Sequence, residues 1–169
     1  MTGKRTDLDV TTAIPMNTAG WQQQLKQDAA VRGVLAHRGL KDYFIFSRSD
    51  FETIPAFTVG RGNWDNWMLH DAKVRQIPVI DGTEAITAIH QNHNYTHTKG
   101  SRKVAYMTGV EAVENERLAQ GKHVISGCTP SHVIRNQQLK PLSKLASLWL
   151  FWREMPQFLK LLKSLSRAW

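Results

Sequence analysis

Residues 54–97 read IPAFTVGRGNWDNWMLHDAKVRQIPVIDGTEAITAIHQNHNYTH. This stretch holds four of the seven histidines of the 169-residue chain, so any imidazole chemistry is concentrated here. Gly60, Arg61, Gly62 and Asn63 form a tight turn in which positive φ is accessible. Asn63 is the expected N-cap of a helix over Trp64–Arg75. Trp64, Trp67, Met68 and Ala72 recur at spacings of three and four and share its apolar face. Asp65 and Asn66 fall in the first turn, where free N–H groups and the helix dipole favour a carboxylate. Two roles are open to Asp65. It completes the cap, or, beside tryptophan faces, it holds a sugar hydroxyl and takes its proton.

Downstream, Ile77–Asp81 is a short apolar run bounded by turn signals and is expected as a buried strand. Ala85–His90 is open to either strand or short helix. It leads into His90, His93 and His97, at i, i+3 and i+7, which a helix would place on one side. On a loop leaving a strand, imidazoles at this spacing can instead converge on a metal ion.

GRGNWDNW followed by VIDGTEAITAIHQNHNY resembles the C-terminal, acceptor-side half of family-2-like glycosyltransferases with the GT-A fold. The resemblance runs from about Met1 to Pro141 and is strongest between Asp42 and Tyr95. It implies an α/β fold: a partial GT-A-like, Rossmann-like mixed sheet with flanking helices. By position, Asp65 matches the acceptor-side acid or base, and His90 or His93 matches the histidine that completes a divalent metal site. Arg61, Trp64, Asn66, Trp67 and Asn92 are the implied substrate contacts. The implied cofactor is Mn2+ or Mg2+. The implied partners are a nucleotide-sugar donor and a glycan or other hydroxyl acceptor. Asp7 and Asp9 suggest the Asp-x-Asp metal motif of that fold, but only six residues precede Asp7. A nucleotide-binding half needs on the order of 80–100 residues, at about 30 per βαβ unit. The expectation is therefore a chain that begins after that half, with Asp7 and Asp9 as turn or cap residues.

Composition is that of a globular domain, with 41% hydrophobic and 21% charged residues. The net charge of +8 is uneven: from Arg135 onward seven Lys or Arg face only Glu154, so about +6 resides in that segment. The remainder is nearly neutral, which argues against specific nucleic-acid binding. Cys128 is the single cysteine, which excludes an internal disulfide and fits a reducing compartment. MTGKRTDLDV has no apolar core region, so no signal peptide is expected. The expected location is cytoplasmic, with peripheral contact at the inner face of a membrane left open.

Elsewhere, Thr18 or Asn17 is the expected cap of a helix over Ala19–Arg32, with Trp21, Leu25 and Ala29 on one face and Gly33 ending it. Asp42–Phe46 carries a strong strand signal, with Asp42 either solvated at its edge or facing substrate. The polar segment 98–103 reads as a loop, and Thr108–Gln120 as a helix ended by Gly121. His123–Ser126 reads as a short strand. Residues 1–140 form the expected domain. Residues 141–169 form a basic amphipathic helical tail divided by Pro156, suited to an anionic membrane surface or to packing on the domain.

Three functional classes fit this pattern. The first is a glycosyltransferase-like protein, dependent on its nucleotide-binding half. The second is a metal-dependent hydrolase built on His90, His93 and His97 with Asp81 or Asp65. The third is a non-enzymatic module that binds a membrane or a partner through 141–169.

Overall fold

The computed structural model describes residues 1–94, 104–121, 129–153 and 155. His97, the loop 98–103, the expected strand at 123–126, Cys128 and the chain from Pro156 onward lie outside the described residues. The architecture is mixed α/β, with two small mixed sheets and several helices. In chain order these are β1 (Arg5–Leu8), α1 (Trp21–Arg32), β2 (Val34–Leu35), α2 (Trp64–Val74), β3 (Ile80–Asp81), β4 (Ala88–Gln91), α3 (Val110–Ala119), β5 (His132–Arg135) and β6 (Gln138–Pro141). A π-helical turn, Val104–Thr108, precedes α3, and a further helix runs through 144–153.

The expected single sheet is instead two three-stranded sheets, ordered β2-β1-β4 and β3-β5-β6. β1 is parallel to β4, with Asp7 opposite His90, and antiparallel to β2. β3 is parallel to β5, and β5 forms a hairpin with β6. A parallel bridge between Thr2 and Asp81 joins the two sheets along one line of chain. Thr2 donates its N–H to Ile80 O at 3.0 Å, and Gly82 donates to Thr2 O at 2.8 Å. Residues 2–8 therefore take part in both sheets.

α2 is the centre of the core. Its four buried residues, Trp67, Met68, Leu69 and Ala72, face two ways. Trp67 and Met68 meet Ala119 of α3 and the rings of Phe44, Phe51 and Phe57. Leu69 and Ala72 meet Val79 and Ile77. Burying side chains the size of Met68 and Leu69 stabilises the fold by about 1.5–3 kcal/mol each. The helical period in the sequence thus corresponds to a real buried face, and the observed bounds stop one residue short of the expected Arg75.

Other expectations need correction. Asn63 does not cap α2 with its side chain. It sits in the left-handed region (φ 76°) and its Nδ2 donates to Glu116 on α3 at 2.6 Å. Gly20, also left-handed, precedes α1 where Thr18 or Asn17 was expected to cap it. Asp42–Phe46 forms no ladder. Its extended backbone meets the first two residues through Ile45 N–H to Met1 O (2.8 Å) and Thr2 Oγ1 to Tyr43 O (2.8 Å). The β5–β6 hairpin turns on Asn136 and Gln137, both with positive φ (49° and 60°), the pattern of a type I′ turn.

Candidate functional site

The Gly60–Asn63 turn is held from behind by Asn115, a fully buried side chain in the middle of α3. Its Oδ1 accepts the Thr58 N–H at 2.9 Å, while its Nδ2 donates to Thr58 O at 2.9 Å and Gly62 O at 3.0 Å. One amide thus satisfies three backbone groups of a loop that forms no ladder of its own. Gly62 allows the second support. A Cβ there would collide with the carbonyl oxygen of Tyr106, so the π-helical turn packs directly on the loop backbone. Arg61 reaches back to Glu111 on α3.

The turn delivers Trp64 and Asp65 to the wall of a pocket of about 520 Å³. Trp64 also packs edge-on against Phe44, with ring centroids 5.2 Å apart, which fixes its plane. Around the pocket stand Arg5 from β1, Lys41 and Asp42 from the loop before Tyr43, Arg61 and Tyr106, and His90 and His93 from the end of β4. Burial pushes the Asp65 carboxyl above the usual carboxylate range, opposed by the charge of Lys41 and by the Asn66 N–H, which donates to its Oδ1 at 2.9 Å. A carboxylate so placed has an enhanced affinity for a proton.

His90 is oriented by Asp42, whose Oδ2 lies 2.6 Å from its Nδ1. The other oxygen of Asp42 accepts from Arg5 Nη1 at 2.6 Å, and Arg5 Nε donates to Asp7 at 2.7 Å. This chain of contacts crosses from β1 to β4 through the loop at Asp42. An imidazole whose Nδ1 faces a carboxylate presents Nε2 to a ligand, the arrangement common behind metal-binding histidines. The His93 ring lies 5.5 Å from that of His90, centroid to centroid. Among the described residues no group of three or more His, Cys, Asp or Glu is placed to hold a metal ion.

The structure brings Arg61, Trp64, Asp65, His90 and His93 of the expected site to one pocket. Three expected contacts lie elsewhere. Trp67 points into the core, 7% exposed and packed on Phe57. Asn66 follows Asp65 but does not line the pocket; its part is the backbone N–H noted above. Asn92 donates to Asp9 Oδ1 at 2.9 Å and so fastens the ends of β1 and β4. Asp81 is also apart from the pocket, ion-paired with Arg38 beneath the sheet junction. Sequence reasoning gave no role to Arg5, Lys41 or Tyr106 and left Asp42 ambiguous. The aromatic run after Asp42 was the available signal for the contact that Phe44 makes with Trp64.

No family model, curated protein or solved structure matches the chain.

Proposed function

We propose that this pocket is the acceptor side of a glycosyl-transfer site, in a fold related to the GT-A transferases. The observation that carries the reading is the convergence of a tryptophan, a carboxylate of raised proton affinity and two imidazoles on one pocket. Asp65 takes the proton of an acceptor hydroxyl as its oxygen bonds to the anomeric carbon of the donor sugar. The bond from that carbon to the diphosphate breaks, and the negative charge leaves with the nucleoside diphosphate. Lys41, Arg5 and Arg61 would bring cations to that charge, Arg5 from its pairs with Asp7 and Asp42 and Arg61 from its pair with Glu111, and Trp64 offers an apolar face to a sugar ring. His90 and His93 would hold a divalent cation, Mn2+ or Mg2+, which when bound neutralises the leaving diphosphate. Asp42 and Arg5 orient His90 for that role. Of the two carboxylates open to the hydrolase alternative, Asp81 is engaged by Arg38 away from the histidines, which leaves that reading Asp65 alone.

Thermal unfolding with Mn2+ or Mg2+ and a panel of nucleoside diphosphates tests the proposal. Ligand at about 100 times its dissociation constant adds roughly 2.7 kcal/mol, a rise in Tm of about 5–10 °C for a chain of this size. The expected result is a shift that needs metal and nucleotide together and is lost in His93→Ala. A shift with metal alone, or none with any combination, removes the donor from the proposal.

A further inference from the structure

The helix at 144–153 carries a surface that the proposed transfer reaction does not use. Its start is capped by Ser143, whose Oγ accepts the Ala146 N–H at 3.1 Å. One side is fastened to the domain. Leu150 is 5% exposed, Ser147 Oγ donates to Pro130 O at 2.9 Å, and Leu142 N–H donates to Ser131 O at 2.8 Å. The other side carries Leu145, Leu148, Trp149 and Trp152, at i, i+3, i+4 and i+7, one continuous face. These four are 79%, 49%, 59% and 61% exposed. Lys144 and Arg153 are exposed at its two ends, and the Arg153 guanidinium lies 4.8 Å over the Trp149 ring.

We propose that this face is a docking surface for an anionic lipid bilayer, with the helix lying flat in the headgroup region. Charge selects this occupant. Lys144 and Arg153 bracket the apolar face, and the chain from Arg135 onward carries seven basic residues against one acidic. A second copy of the same face would bring like charges together. An anionic surface takes the cations while the tryptophans and leucines enter the acyl boundary. No helix among the described residues is long and apolar enough to cross a membrane, so contact is from one side. The inference is independent of the transfer reaction.

The test is sedimentation of the full chain with phosphatidylcholine vesicles, with and without phosphatidylserine, alongside tryptophan emission. Binding that requires phosphatidylserine, with a blue shift, is expected. The triple change Leu145→Gln, Trp149→Gln, Trp152→Gln should abolish it, with circular dichroism unchanged because all three positions are exposed. Lys144→Glu with Arg153→Glu should weaken binding by about 10-fold or more, given the contribution of each cation near such a surface. Val31→Gln, on an equally exposed residue of α1, should leave it unchanged. Absent binding, equal binding to neutral vesicles, or binding insensitive to the triple change overturns the proposal. So does a dimer that forms through this face without vesicle binding.

Discussion

Asp65 and Asp81 are both withdrawn from bulk water, yet the protein treats them oppositely. At Asp81, burial works against the charge, but Arg38 and the Thr83 donors outweigh it and hold the carboxyl below its ordinary value. Thr83 alone donates twice to Oδ1, from Oγ1 at 2.5 Å and from N at 3.0 Å. At Asp65, burial dominates and the carboxyl is pushed up. The difference is one of saturation. The junction carboxylate has its lone pairs filled by the fold, as structural carboxylates do. The pocket carboxylate has backbone N–H donors at the helix start, Asn66 at 2.9 Å among them, and the charge of Lys41, but among the described residues no ion pair as close as that of Asp81 with Arg38. Burial alone therefore does not mark a functional group. Burial at a pocket wall, with the carboxyl pushed up, makes Asp65 the candidate of the two.

The most severe way to break this comparison is Asp81→Asn. It strips buried Arg38 of its carboxylate and should cost about 3–5 kcal/mol in urea unfolding. A loss under about 1 kcal/mol would mean that the junction is not held by charge. Gly62→Ala comes next. It leaves both carboxylates in place but forces the loop away from the Tyr106 carbonyl, at about 1–3 kcal/mol, and should weaken acceptor binding as the pocket wall shifts.

A pH series separates the two carboxylates by sign. Asp81, with its native pKa lowered, contributes stability above the unfolded value near 3.9, which is lost as pH falls through the native value. Asp65, with its native pKa raised, makes the native state bind more protons than the unfolded one. Its contribution therefore falls as pH rises from about 3.9 through the raised value. Asp65→Asn should accordingly gain on the wild type as pH rises through that window. The reverse trend would show the Asp65 carboxylate to be a structural group like Asp81.

The smallest expected effect on stability is Asp65→Asn at neutral pH, within about 1 kcal/mol, since one local contact changes. On the proposed reading, sugar transfer should fall at least about 100-fold. Parallel loss of stability and activity would reduce Asp65 to a helix-start residue.

Much of α2 could be read from the sequence because its evidence is local: a glycine-bearing turn, then apolar residues at helical spacing. The place of Asp65 in the first turn of α2 was legible for the same reason. What could not be read depends on long-range pairing. Asp42 reaches His90 only because β1 and β4 pair with Asp7 opposite His90, across a separation that no local pattern encodes. Asn115 is a lone amide inside a polar helix sequence, and nothing near it announces that it holds a loop more than fifty residues away. The segment after Asp42 was read as a strand because its side chains favour extended backbone. The backbone is extended, but it meets only the first two residues, too few for a ladder. The β5–β6 hairpin was missed because Gln137, at a position that favours glycine, gives no turn signal.

The partnership of the opening strand with β4 also sets a timetable. Arg5 pairs with Ala88 and Leu8 with Gln91, so the strand made first waits for a partner made much later. At about 5–20 residues per second on the ribosome, that wait is roughly 4–17 s. Closing the parallel pair also requires the whole intervening loop to be gathered first, the step that slows folding in non-local topologies. Until β4 is made, the edge of β1 that faces it is unpaired, and Arg5 and Asp7 are the charges within the strand that discourage pairing with another nascent chain.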